Sequence, residues 1–347
     1  MTPTGVIALD QYAARKIIDV VGSLRIPGSA TLITGDTLVD YMRNAWAPDN
    51  AKYQMSQGLD RKSFLGDITK ATLKRVESGG VDWTQLINTV IHLVEQRHIQ
   101  MYIDNVDVAE FLKSQKIDST IVFPPQDMLL FVDANVGYNK VSMRIERSLT
   151  YTVDLTKSPP VAELTLHMKH LSQNVTDCSP EVRYYPTYEQ SMERCYWSYL
   201  RFYVPEGAQL LGATEYPIEA QKVLTGLSWP GIVKISQAEE GSATVFEQAL
   251  LLPTASTTDI TLRYNLPDSI IQVLDGNLMD YKLILQKQAG LRNIPTQVIL
   301  RVPQNALISK VLPDADDSED GVLVFNIDLQ KNTEIELRFT ALMKEGP

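Results

Sequence analysis

Beyond Phe123-Pro124-Pro125 the apolar residues of this chain fall at every second position, almost to its end. Successive side chains of a β-strand point to opposite faces, so a period of two is the mark of a half-buried strand. MLLFVDA, VSMRIERSLTYTVDL, VAELTLHMKHL, YWSYLRFYVP, TVFEQALLL, DITLRYNLP, YKLILQKQ, TQVILRVP, GVLVFNIDL and TEIELRFTAL carry that pattern, and QLLGAT, GIVKISQ and ALISKVL carry shorter versions. So many strands, separated by Pro, Gly and Asn, predict antiparallel β-sandwich architecture over residues 125–347, as one larger and one smaller sandwich. The acidic DADDSEDG reads as a solvated hairpin tip.

Residues 1–124 obey a different rule, alternating short strands with segments of helical period. After the strand GVIAL, Asp10 can cap a helix that stops at Gly22, and LRIPG reads as a short strand and turn. Thr34 or Asp36 can cap TLVDYMRNAW, and Asp60 a helix to about Glu77. WTQLINTVIHLVEQRH predicts a further helix, IQMYI a strand and VAEFLKSQ a last helix. The expected fold is α+β: a layered α/β domain at 1–124, then β-sandwich modules. A length of 347 residues is in keeping with more than one domain.

The formal net charge of -10 opposes nucleic-acid binding, which needs cations to displace counterions from phosphate. No apolar run approaches the roughly 20 residues of a membrane helix. MTPTGVIALD has neither the basic start nor the apolar core of a signal peptide. The immediate entry into a buried-looking strand suggests a trimmed fragment, with the α/β domain missing an N-terminal part.

DANVGYNKV, Asp133 to Val141, places Asp133, Asn135, Gly137 and Asn139 at alternate positions. That spacing can wrap a calcium ion, but such a loop wants more carboxylates and a bidentate Glu. The preferred reading is a tight turn between two strands, with Gly and Asn supplying positive φ. Cys178 and Cys195 read as a disulfide around a tyrosine-rich excursion, with two reduced, buried thiols as the alternative. A zinc quartet with His167 and His170 is disfavoured, because a strand sends residues three apart to opposite faces. Neither a metal nor any other cofactor is expected, and no catalytic residue is assigned. Nucleophile-elbow, phosphate-loop, zinc-protease and dinucleotide fingerprints are all absent. Tyr184, Tyr185 and Tyr188 offer amphipathic faces for a glycan or a protein partner. Tyr199, Arg201 and Tyr203 alternate with Trp197 in a strand, so one set is expected in the core between sheets.

Several segments together resemble a family of bacterial envelope proteins catalogued only as a domain of unknown function, numbered four-zero-one-two. These are GVIALDQYAARKIIDVVGSLRIPG, TGDTLVDYMRNAW, LDRKSFLGDI, VDANVGYNKVSMRIERSLTYTVDL, CYWSYLRFYVPEGAQLL and YKLILQKQAG. Its members begin with a membrane helix and a further α/β segment. The resemblance therefore implies an extracytoplasmic, C-terminal fragment that touches the membrane only through an absent N-terminal helix. A Cys178–Cys195 bridge fits that compartment.

The first domain also looks, more faintly, like the LytR-CpsA-Psr transferases, which move glycopolymers from polyprenyl pyrophosphate carriers to the cell wall. ITGDTLVDYMR places Arg43 on that family's arginine, and Asp60-Arg61 matches its next motif, although Phe64 stands at the following arginine position. The resemblance implies that Arg43 and Arg61, with Lys62, grip a pyrophosphate through forked hydrogen bonds. The expected function is thus an envelope module with a binding or structural role. The alternatives are a glycopolymer transferase and a glycan-binding adhesion module. The expected partners are a cell-wall glycopolymer or a polyprenyl pyrophosphate lipid.

Overall fold

The computed structural model describes residues 4–46, 63–115, 117–180, 188–239, 241–274 and 277–340. They form a sheet-rich α+β fold. The described residues of 4–120, with 188–192 and 289–292, make one compact unit, and the rest make a second.

In the first unit β1 (Gly5–Leu9) leads into α1 (Gln11–Val21), capped by the Asp10 carboxylate, which accepts the Ala13 N–H at 2.8 Å. Gly22 ends the helix at φ 94°, where a side chain would be strained. The cap of α2 (Gly35–Trp46) is Thr34, whose hydroxyl accepts the Thr37 N–H at 3.3 Å, while Asp36 is paired with Arg15. α3 (Ser63–Glu77) follows; Asp60, its expected cap, lies outside the described residues. Asp82 caps α4 (Trp83–Glu95), β2 (Ile99–Ile103) follows, and Asn105 caps α5 (Val106–Ser114). LRIPG forms no strand; it contributes one bridge, Leu24 to Ile33, because Pro27 has no donor and Gly28 turns the chain.

Two apolar clusters hold these helices. Ile18, Val21, Leu24, Ile33, Leu38, Phe64 and Ile68 join α1, α2 and α3. Ala13, Leu93, Val94 and Ile99 join α1, α4 and β2. β1 and β2 pair antiparallel, from Gly5 opposite Ile103 to Leu9 opposite Ile99. Every residue of β1 is exposed, Ile7 at 65%, so this apolar strand is uncovered on both faces.

The second unit contains two sheets. One includes β3 (Asp127–Asn135), β6 (Tyr196–Pro205), β8 (Lys234–Gln237), β9 (Ala243–Leu252), β11 (Ile271–Val273), β12 (Leu278–Gln286), β14 (Leu307–Leu312) and β17 (Thr333–Thr340). The other includes β4 (Ile145–Asp154), β5 (Val161–His170), β7 (Gln209–Ala213), β10 (Thr257–Asn265), β13 (Pro295–Arg301), β15 (Asp317–Glu319) and β16 (Val322–Asp328). DADDSEDG is therefore more than a tip: its Asp317–Glu319 pairs with β16 as a fully exposed edge strand, whose carboxylates guard the edge.

The sheets are mixed rather than purely antiparallel. β3 runs parallel to β12, and β4 runs parallel to β13. These pairs join strands more than a hundred residues apart, well beyond the crossover of roughly a dozen residues that a parallel pair needs at the least. Period two says which residues share a face, not which strand lies alongside, so the parallel junctions were invisible in the pattern.

At the junction the Asp127 carboxyl is fully buried and accepts hydrogen bonds from the hydroxyls of Tyr281, at 2.6 Å, and Tyr151, at 3.0 Å. Tyr264 donates in turn to the Tyr151 hydroxyl at 3.3 Å. Burial pushes Asp127 up to about 7, and the tyrosine donors offset only part of that. The folded state thus keeps a proton that the unfolded chain releases near pH 4, so this group's contribution to stability is full in acid. It declines as pH rises toward 7 and is lost above it. We expect Asp127→Asn to become progressively more stable than wild type between pH 5 and pH 8 in thermal melts. A melting difference that does not change with pH would contradict this.

Candidate functional site

Among the described residues, four groupings of chemistry-bearing side chains bear on the sequence readings or form a groove, two in each unit. The first is DANVGYNKV. β3 and β4 lie in different sheets, so this segment is a crossing between sheets and not a hairpin between paired neighbours. The Asn135 side chain accepts the Gly137 N–H at 2.9 Å and donates to the Asn139 carbonyl oxygen of the side chain at 2.9 Å. Asn139 accepts the Val141 N–H and donates to the Cys195 carbonyl at 3.0 Å. Positive φ falls on Tyr138, at 54°, rather than on Gly137 or either asparagine. Gly137 is needed for space: a Cβ there would lie 2.9 Å from the Trp197 ring.

Below the crossing, the buried Asp133 carboxylate receives Arg147 at 2.5 Å, Tyr196 at 2.7 Å and the Ser198 hydroxyl. Its oxygens serve the protein's own donors. Its backbone N–H and C=O are matched by the Gln288 amide at 2.8 and 3.0 Å. Gln286 treats the backbone of Val122 in the same way, at 2.9 and 2.7 Å. In QKQ, both glutamines therefore stand in for a strand's backbone, a role their spacing did not reveal.

The second place is the bridge. Cys178 and Cys195 are bonded, and both are buried with Ile218 and Leu251. His167 and His170 do point apart: His167 is exposed and pairs with Asp259 at 2.8 Å. His170 is buried, donates from Nε2 to the Arg194 carbonyl at 2.8 Å and accepts the Ser172 N–H on Nδ1. Burial lowers its pKa, which favours the neutral ring that this pattern requires. In β6 the buried alternate set is Tyr196, Ser198, Leu200 and Phe202, with Phe202 stacked on Phe131 at 5.3 Å. Trp197, Tyr199 and Arg201 are half-buried on the other face, the reverse of the set one would pick by counting from Tyr203.

In the first unit, Arg43 is half-buried, 3.5 Å from Asp40, with its guanidinium 5.6 Å from the centre of the Tyr188 ring. Tyr188 opens the short helix α6 (Tyr188–Met192) and is buried, not displayed. Burial raises its pKa, and nearby Arg43 moderates the effect. Arg61, Lys62, Tyr184 and Tyr185 lie outside the described residues.

The fourth place is a groove of about 570 Å³ between α1 and α4, which the sequence pattern did not flag. Tyr12 and Lys16 line it from α1, and Gln85, Asn88, Thr89 and His92 line it from α4. Tyr12 is set by the tilted His98 ring at 4.5 Å and by the cations of Lys16 and Arg292, at 5.6 and 5.7 Å. His98, itself buried, is tied to the cap residue Asp10 at 2.6 Å. The available signal was Thr84, Gln85, Asn88, Thr89 and His92 at helical spacing, on a helix that carries no charge before Glu95.

No family model matches this sequence, and no curated protein does. Among solved structures it is similar to a Legionella pneumophila protein provisionally described as nutrient-binding, at 7% identity and a TM-score of 0.34, over 62% of this chain and 71% of that one. It is also similar to leukotriene A4 hydrolase from Saccharomyces cerevisiae, at 8% identity and a TM-score of 0.30, over 58% of this chain and 30% of the hydrolase. Likeness at this level assigns neither fold nor activity. No described helix is long and apolar enough to cross a membrane.

Removing the Asp133 carboxylate would leave Arg147 charged, buried and without its ion-pair partner. Asp133→Ala should cost about 3–5 kcal/mol in urea unfolding. Asn139→Ala, which breaks three neutral bonds, should cost about 1–3 kcal/mol. A loss below about 1 kcal/mol for the aspartate variant would show that this node is dispensable.

Proposed function

We propose that this chain is an extracytoplasmic module of a bacterial cell-envelope protein whose role is binding and scaffolding. The Cys178–Cys195 bridge carries the reading, since such bonds persist in oxidising compartments. The family resemblance supports it, because its motif residues Asn135, Gly137, Asn139, Gln286 and Gln288 each have a defined structural task here. In this reading the second unit is a larger and a smaller sandwich that share both sheets, held rigid outside the membrane. Transfer of a glycopolymer from a polyprenyl pyrophosphate ranks behind it, because the Arg43 fork would have to leave Asp40 and Tyr188.

Protein from its native source, unfolded without reductant and treated with an alkylating agent, should carry no label on Cys178 or Cys195. Full labelling of both would rule out an oxidising compartment. Cys178→Ala with Cys195→Ala should lower stability by about 2–4 kcal/mol in denaturant unfolding.

A further inference from the structure

We propose that the groove between α1 and α4 is a subsite for a neutral oligosaccharide. This deepens the binding reading above and rests on it. At about 570 Å³ the groove falls within the roughly 300–1,000 Å³ range of small-molecule sites.

The composition of α4 selects the ligand class. From Trp83 to Val94 the helix carries no Asp, Glu, Lys or Arg, although much of it is exposed. An exposed helix face ordinarily carries charge. Here two rows stand side by side at four-residue spacing. Trp83, Ile87 and Ile91 form an apolar row, 58%, 55% and 44% exposed. Thr84, Asn88 and His92 form the next, and Gln85 and Thr89 follow it into the groove.

Sugar rings have the same duality, with an apolar C–H face and a rim of hydroxyls. The Trp83 ring, in the exposed row beside the groove lining, suits the first for a sugar that overhangs the rim, and the amide and hydroxyl side chains of the lining, which both donate and accept, suit the second. His92 is already oriented. Its Nδ1 lies 2.7 Å from the Asn88 carbonyl, which can only accept, so Nδ1 donates there and Nε2 is left for a ligand hydroxyl.

Charged ligands fit less well. A phosphate calls for a cluster of cationic forks, and Lys16 is the one Lys or Arg lining the groove among the described residues. The lining holds a single carboxylate, Asp82, whose Oδ1 caps α4 through the Gln85 N–H at 3.0 Å, so a cationic ligand would meet one acid and no cluster.

The test is isothermal titration of the full chain with chitotriose, cellotriose and maltotriose. At least one should bind saturably with a dissociation constant on the order of 1 mM. Asn88→Ala, Gln85→Ala and Trp83→Ala should each weaken that binding about tenfold. These side chains lie on the surface, so far-UV circular dichroism and the thermal melt should be unchanged, and Ser309→Ala, exposed in the second unit, should bind as wild type. No saturable binding by any of the three sugars, or binding that the α4 variants leave intact, overturns the proposal. So does a protein or peptide that occupies this face in competition with none of the sugars. Oxidised cysteines together with sugar silence would sink this site alone, whereas free native thiols together with sugar binding would sink only the assigned compartment.

Discussion

The ion pair of Asp133 and Arg147 is the constraint around which the second unit is arranged. Both side chains are nearly sealed from water, at 0% and 7% exposure, so each would be costly without the other. They join β3 to β4, which belong to different sheets, at the point where the chain crosses between them. Burial raises the cost of a mismatch and so restricts the crossing to one register. Asn135, Asn139, Tyr196 and Ser198 complete the remaining hydrogen bonds, and Asn139 ties the crossing to the backbone of Cys195. The disulfide and the ion pair therefore reinforce one corner.

The parallel junctions use the same device with less charge. A sheet that changes from antiparallel to parallel pairing meets at places where regular ladder bonds run out, and each buried N–H or C=O left there must find a partner. Gln286 and Gln288 supply them, each with one donor and one acceptor in a planar amide that copies the peptide bond. Asp127 goes further, placing a titratable group in the core, where the hydroxyls of Tyr151 and Tyr281 and the Met128 backbone donate to it and Tyr264 backs Tyr151. The result is a core whose specificity comes from polar contacts between strands distant in sequence. Apolar packing alone tolerates many rearrangements, whereas these contacts tolerate few.

The first unit works differently. Its helices are fixed by local caps and by two apolar clusters, and its polar surface gathers in a groove instead of a buried network. Arg43, offered by resemblance as a pyrophosphate ligand, is held by Asp40 and Tyr188, and Tyr188 is itself buried instead of forming part of an exposed aromatic surface. α4, by contrast, presents exposed neutral polar side chains to solvent at Thr84, Gln85, Asn88 and His92.

Much of the fold was legible in the chain. Strand positions, the change of regime near Phe123, the caps at Asp10 and Thr34, and the cysteine pair follow from local rules: side-chain period, capping chemistry and the residues that tolerate turns. The candidate site was scarcely legible, because Gln85, Asn88, Thr89 and His92 look like any polar face until α1 supplies the opposite wall. The sequence by itself settled what each short segment is, since backbone conformation and side-chain alternation are decided within a few residues. Which strand lies beside which, whether DANVGYNKV turns within a sheet or crosses between two, and what Asp127, Asp133 and the glutamines are for were decided only in three dimensions. Their partners stand from 14 to 164 residues away along the chain, and the free energy of a buried polar contact depends on that distant partner being present.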